Sequence, residues 1–418
     1  MNYSAEALNQ LEAGQLDKFQ ENFDLALKND DDDLLFSLAE ELYSLGFTDN
    51  AKRIYEQLLT KYPDEGQLKI QLAELAIDDQ DDEAALEYLT TINKDDPNYV
   101  QALLVAADLY QTQELFEISE QKLLEARAIA PDEPVIDFAL GEFYFATRNF
   151  NKAIRIYLQL IKAGTLEIAG VNLVQRIGVA YAQSGKFEQA LGYLTQIKPV
   201  DMNPDTRFEL AFTQFNLHDY GEAIKNFEEL RETDPQYSSL YSYLADAYIQ
   251  QNENSAALRT IQEGLGVDQY NEQLWLKAAN IAQLVGDDDL VQKYLQQGLA
   301  IDPENLEIIT QLANWLIKHD HFQEVVDLLT PLQDEEQFDA VLSWNLATAN
   351  NHLGKIKAAK HNYELAGIEL TNDSDFLKEA GLFYRSVGEI EVAQDYFKRY
   401  LTLVPSDFEI ETLLDENL

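Results

Sequence analysis

Cysteine is absent from the 418 residues. That removes disulfides, zinc ribbons, iron–sulfur ligation and thiol nucleophiles together, and it suits a reducing cytoplasm. Basic residues are scarce: 30 Lys and Arg stand against 75 Asp and Glu, a formal charge of −45. Nucleic acid is bound by cations that displace its counterions, and anionic lipid by basic patches, so this balance predicts no nucleic-acid partner and no docking on charged membrane. No run approaches the roughly 18–20 apolar residues of a membrane span. The opening Met1-Asn2-Tyr3-Ser4-Ala5-Glu6 has neither a basic nor an apolar region, so no signal peptide and no membrane insertion are expected. The expected location is cytoplasmic.

Catalytic motifs are missing as well. There is no glycine-rich phosphate loop, no Gly-x-Ser-x-Gly elbow and no His-Glu-x-x-His. Of five histidines, His319-Asp320-His321 is the nearest approach to a ligand cluster. Its i, i+2 spacing does not place both rings on one helix face, and it reads as a solvated turn. The acidic runs Asp30 to Asp33, Asp78 to Glu83 and Asp287 to Asp289 lack the alternating ligands, central Gly and distal Glu of a calcium loop. Acids there suit helix N-termini. The expectation is a protein that is not an enzyme, with no metal and no cofactor.

What is present is a folded core, at 46 % hydrophobic residues, and a repeat. A small residue recurs at Ala39, Ala73, Ala107, Gly141, Gly178, Ala211, Ala245, Ala279, Ala313, Ala347 and Gly381, at intervals of 34 residues except for one of 37 and one of 33. Twelve residues after each comes another, mostly small, residue, as at Ala51 and Ala153. Four further on it is always large and apolar, as at Tyr55, Tyr157 and Phe397. Proline follows in six units, at Pro63, Pro97, Pro131, Pro235, Pro303 and Pro405. Each unit reads as two helices that cross closely at the small residues, the second helix stopped by proline.

This pattern resembles the tetratricopeptide repeat (TPR) family, with its Trp-x2-Leu-Gly-x2-Tyr, Ala-x3-Phe and Pro signature: eleven units keep its register over about 32–405, while its Trp appears only as Trp275 and its Tyr at Tyr110, Tyr144, Tyr181, Tyr248 and Tyr384. The resemblance implies an all-α, right-handed α-solenoid of about eleven to twelve helix-turn-helix units. Residues 1–31 are expected to form an N-terminal capping hairpin and 406–418 a capping helix around Phe408 to Leu414. The three extra residues fall in 161–170, with Gly164 and Gly170, in the only basic stretch of the chain. They are either a lengthened surface loop or a hinge between half-solenoids at 32–165 and 166–405.

If the first small residue is position 8, positions 5, 9 and 12 make a stripe beside the core stripe. In TPR proteins that stripe lines a concave groove for extended peptides. Carried over, it comprises Phe36, Glu40 and Tyr43, then Ile70, Glu74 and Ile77, then Leu104 and Asp108, then Phe138, Glu142 and Phe145. The middle of the chain gives Phe208, Phe212 and Phe215, and later units give Asp246, Asn280, Asn314 and Asn351. Asn345, at position 6, joins Asn314 as a partial match to the clamp with which some TPR proteins hold chaperone tails. Thr310 stands where that clamp needs Lys, and Asp375 and Glu379 where it needs Lys and Arg, so a chaperone-tail clamp is not expected.

The stripe runs from apolar and acidic, through aromatic, to Asn-rich and finally basic. Its apolar members either bind a partner or pack first helices together; the position-9 acids are harder to explain by packing, because a buried carboxylate without a partner is costly. Two functions stay open. One is a protein-interaction scaffold or adaptor that holds a basic, apolar peptide or helix of a partner. The other is a peptide- or ligand-gated regulator whose superhelix changes shape on binding.

Overall fold

The structure is a computed structural model that describes residues 2–333 and 339–415. Met1 and residues 416–418 of the expected terminal segments lie outside the described residues. The chain forms two compact units, Met1–Thr213 and Gln214–Leu418.

The first unit opens with α1 (Tyr3–Glu12), α2 (Leu16–Asn29), α3 (Asp32–Ser44), α4 (Thr48–Lys61), α5 (Gly66–Asp78) and α6 (Asp82–Thr90). It continues with α7 (Tyr99–Thr112), α8 (Phe116–Ile129), α9 (Pro134–Ala146) and α10 (Phe150–Lys162). Strands β1 (Glu167–Ile168) and β2 (Val171–Asn172) follow, then α11 (Leu173–Gln183), α12 (Phe187–Leu194) and α13 (Pro204–Asn216), within which the division falls.

The second unit holds α14 (Tyr220–Thr233), α15 (Ser239–Gln250), α16 (Asn254–Val267), α17 (Glu272–Val285), α18 (Asp288–Ile301) and α19 (Leu306–Lys318). After these come α20 (Phe322–Leu329), α21 (Ala340–His352), α22 (Ile356–Glu369), α23 (Ser374–Ser386), α24 (Ile390–Leu403) and α25 (Phe408–Asp415). The fold is an all-helical repeat solenoid.

The small-to-large rule explains each crossing. Tyr55, Tyr157, Tyr363 and Phe397, sixteen residues after their small partners, are at most 1 % exposed. At Gly141 a Cβ would lie 2.6 Å from the Tyr157 ring, and at Gly381 2.5 Å from the Phe397 ring. Only the missing side chain lets the rings seat there. Helix starts follow the acids. Asp31 accepts from the Leu34 amide at 2.9 Å, Asp81 from Ala84 at 3.1 Å and Asp287 from Leu290 at 3.1 Å. The acidic runs are caps.

The turn between the two helices of a unit is uniform. Seven residues after the small residue the backbone is left-handed in all eleven units: Gly at 46, 185, 286, 354 and 388, but Gln80, Glu114, Arg148, His218, Asn252 and Asp320 elsewhere. This is the αL helix ending that glycine favours. Six side-chain-bearing residues adopt it because the hairpin on either side fixes the turn.

Two expectations need correction. The insertion is neither open loop nor helix: β1 and β2 pair antiparallel, Glu167 opposite Asn172 and Ile168 opposite Val171, around left-handed Ala169 (φ 50°) and Gly170 (φ 76°). Positive φ at both central residues is what a two-residue hairpin requires. Asn172 then caps α11 by accepting from Val174 and Gln175. The fold therefore carries a small β-ladder where none was expected.

The second correction concerns proline as the stop signal. Five of the six second helices end two residues before their Pro, but α6 ends at Thr90, seven before Pro97. Thr90 and Thr91 turn their hydroxyls back onto the Leu86 and Tyr88 carbonyls (2.7 and 2.8 Å), in a β-branched run that weakens the helix.

Candidate partner-binding surface

In the first unit the stripe is a physical surface. Tyr43 of α3, Glu74, Ile77 and Asp78 of α5, and Leu104, Val105 and Asp108 of α7 line one pocket of about 360 Å³. Three successive first helices thus contribute to one site, as stacking of like faces requires. Phe36 is partly buried edge-on to Tyr55, with ring centroids 5.7 Å apart, and Glu40 is exposed. Ile70, expected in the stripe, is fully buried among Ala73, Ala85 and Leu89 and presents nothing to a partner. Phe138 and Phe145 are partly buried, and the Arg176 guanidinium lies 4.8 Å from the Phe145 ring centroid.

A rule that the sequence reading missed governs the position-9 side chains. In four repeats that side chain meets position 6 of the next, 31 residues on, or 34 across the hairpin insertion. Glu142 takes both nitrogens of Arg176, Nη2 to Oε2 at 2.6 Å and Nε to Oε1 at 3.1 Å, and also accepts from the Tyr157 hydroxyl at 2.6 Å. Asp246 accepts from Lys277 Nζ at 2.6 Å, and that ammonium also donates to Ser242. Asn314 accepts from Asn345 at 3.0 Å, and Thr348 donates to Glu379, which also takes the Tyr363 hydroxyl and the Trp344 indole N–H. Arg176, Lys277 and Glu379 were legible as the position-6 partners, had positions 6 and 9 been aligned across units.

Three acids escape this closure. In the repeat register Glu40, Glu74 and Asp108 correspond to Gln71, Val105 and Ala139, none of them a cation, and the three acids form no ion pair among the described residues. Burial, then the nearby Asp78 charge, pushes the Glu74 carboxyl above its usual range, while the Gln71 amide works the other way. Burial and the hydrogen bond to Asp78 (2.7 Å) push the Tyr43 phenol up to about 12. The four-acid ladder of the sequence is therefore three open carboxylates and one closed pair.

The later candidates differ. Phe208 and Phe212 stack with centroids 6.1 Å apart, and Phe212 meets Phe187 edge-on. In the second unit Phe215 packs against Tyr220 and Tyr243. Asn280 and Asn314, both exposed, join Gln311, Trp315 and Lys318 around a pocket of about 330 Å³; Asn345 is buried and Asn351 partly buried. His319 stacks on Trp315 at 4.1 Å and His321 bonds Glu324 at 2.6 Å, so the histidine pair serves its own turn.

The repeat geometry defines a class, the helical-hairpin solenoids built on the small-to-large crossing. The chain belongs to the tetratricopeptide repeat family. The description "YpiA-like, tetratricopeptide repeats" matches residues 111–165, and "YpiA-like, C-terminal tetratricopeptide repeats" matches 341–407. A general tetratricopeptide repeat matches 214–281, and the ARM repeat of tetratricopeptide repeat protein 21 matches 4–114. The TPR repeat-containing protein YpiA of Bacillus subtilis (strain 168) is 36 % identical over 408 residues, 97 % of this chain and 96 % of its own length. The CTR9 homolog of Arabidopsis thaliana is 25 % identical over 67 % of this chain, which spans 27 % of that protein.

Among solved structures, YrrB, a TPR protein with an unusual peptide-binding site, aligns with 46 % of this chain and 98 % of its own at 16 % identity and a TM-score of 0.39. A TPR protein from Parabacteroides merdae aligns with 60 % of this chain and 99 % of its own at 16 % identity and a TM-score of 0.44. TPR proteins are generally protein-interaction scaffolds. No helix among the described residues is long and apolar enough to cross a membrane.

Proposed function

We propose that this protein is an interaction scaffold whose first-unit stripe holds a partner segment combining Lys or Arg with apolar residues. The observation that carries this reading is the unequal closure of the position-9 acids. Glu142 and Asp246 are neutralised from the next repeat, whereas Glu74 and Asp108 are left open beside Tyr43, Ile77, Leu104 and Val105, and Glu40 is exposed one repeat earlier. Desolvating a carboxylate is costly unless a cation answers it. A Lys or Arg from outside supplies that charge, and its aliphatic stem lies along the apolar wall. The net charge of −45 also raises the encounter rate of a basic segment, a contribution that salt screens.

The test uses a fluorescent synthetic peptide alternating Lys with Leu and Phe, and its Glu-for-Lys counterpart. Anisotropy should show the basic peptide bound and the acidic one not. Glu74→Lys/Asp108→Lys should weaken the basic peptide about tenfold. Glu304→Lys/Glu307→Lys, with the same change in net charge, should leave it nearly unaffected. Equal losses in both variants mean that net charge alone attracts the peptide and the groove reading fails.

A further inference from the structure

The early end of α6 leaves a notch. At nine residues it is shorter than α4 and α8, each of 14. The missing turns would have covered part of α7. In their absence Leu89, Ile92, Ala102, Leu103 and Ala106 floor a pocket of about 290 Å³, flanked by Tyr99 and Tyr110. No residue of this pocket lines the acidic pocket of the first-helix stripe; the two open on different faces of α7. The short helix is provided for: the buried Lys69 of α5 donates to the Thr91 carbonyl at 3.1 Å, satisfying a C-terminal oxygen that a longer helix would have bonded itself.

We propose that this notch, with the adjoining side of α8, docks an acidic amphipathic helix of a partner protein. Two observations carry the choice of occupant. The first is charge. In a chain with 75 acids and 30 bases, the pocket is lined by Lys94 and Lys122 and by no carboxylate. Lys94 already pairs with Glu125 at 2.9 Å, whereas Lys122 forms no ion pair among the described residues. At physiological salt, charges beyond about 8 Å are screened, so with Glu125 balanced by Lys94 the unpaired Lys122 outweighs the distant net charge at the point of contact.

The second observation is shape. Ile118, Lys122, Glu125 and Ile129 recur at intervals of three and four residues and so share one side of α8. Ile118 and Ile129 on that side are 38 % and 50 % exposed. The strip runs about 16 Å along the helix, longer than a pocket-sized ligand and suited to three turns of a partner helix. One apolar side chain of that helix enters the notch, its neighbours lie on Ile118 and Ile129, and its carboxylates meet Lys94 and Lys122.

The test is site-specific photocrosslinking of the full chain in its own cells, with benzoylphenylalanine replacing Ile118 or Ile129. Sequencing of the captured peptide should give, from both positions, one segment with apolar residues three and four apart and Asp or Glu between them. Lys94→Glu/Lys122→Glu should lower the yield about tenfold, and the milder Lys94→Gln/Lys122→Gln, which keeps the side chains' bulk, about threefold. Glu74→Lys/Asp108→Lys should leave the yield unchanged, which separates this surface from the groove. Capture of a basic segment, of a second copy of this chain or of nothing overturns the proposal, as does a yield indifferent to both lysine pairs.

Discussion

The first-helix stripes of the two units are built alike and finished differently. In α3, α5 and α7 of the first unit, position 9 is acidic and the next unit answers with Gln71, Val105 or Ala139. In α15, α19 and α21 of the second unit, position 9 is met by a side chain of the next repeat: Lys277, Asn345 and Glu379. The same inter-repeat geometry thus either consumes a polar group or leaves it open. A position in a TPR stripe cannot be assigned to binding by its own identity; the residue 31 positions on decides. Glu142 shows this within the first unit, where Arg176 closes it.

The largest expected effect tests what the two units share. Gly141→Leu and Gly381→Leu each force a side chain into a ring that already stands 2.6 or 2.5 Å from the Cβ position. Overpacking of this kind costs about 1–3 kcal/mol or more. Denaturant melts should show both variants destabilised. A wild-type midpoint in either one breaks the claim of a common packing rule.

Next comes the difference between the stripes. Glu74→Lys/Asp108→Lys should lower affinity for the basic peptide about tenfold, while Asp246→Asn, at a position already paired, should change it less than twofold. Comparable losses would erase the distinction between open and closed acids.

Opening the closed acid sharpens the comparison. Arg176→Gln leaves Glu142 without its cation. Both side chains are about a third exposed, at 34 % and 27 %, so the stability lost is small, about 1 kcal/mol. The same change should extend the open ladder to a fourth acid and strengthen the basic peptide a few-fold, measured by the same anisotropy titration.

The pH dependence follows from Glu74. Its folded carboxyl titrates above the ordinary range because burial disfavours the charged form. The native state then holds the proton more tightly than the unfolded chain, so stability falls as pH rises from the unfolded value, about 4.3, through the raised folded value, and the penalty is complete above it. A cation needs the ionised form, so peptide affinity should climb over that same window. Glu74→Gln should flatten both slopes. An unchanged pH profile in that variant would take Glu74 out of the site.

The smallest effect concerns the insertion. Amides in 163–172 should exchange faster than those of the other inter-repeat turns. A two-residue ladder with left-handed Ala169 and Gly170 has little to bury, and segments of few contacts open at low free energy. Uniform protection would leave the hairpin as a rigid surface feature and remove the motive for a hinge there.

Much of the architecture was legible because it is periodic. The small residues at position 8 and the large apolar residues sixteen on are local choices that recur through the eleven units, with acids before several helices, and they appear in the structure as crossings, core side chains and caps. The stripe was legible as a face, since helical spacing alone places positions 5, 9 and 12 together. Its chemistry was not. Ile70 carries the same stripe position as Phe36 yet is wholly buried, and Glu142 the same as Glu74 yet is paired. Burial and pairing depend on what the next repeat brings, which no single unit states.

The sequence by itself determined the two-helix unit, its period of 34 residues and the acidic balance of the chain. These are set by side-chain size, helical spacing and composition, all local or additive. Tertiary structure alone decided three other things. It forced six residues with side chains into a left-handed turn, because the packed hairpin on either side leaves the backbone no alternative. It satisfied the early end of α6 beside the notch, since the Lys69 that bonds the Thr91 carbonyl comes from another helix. And it separated open from closed carboxylates, because that outcome rests on atoms brought within 3 Å from 31 residues or more away.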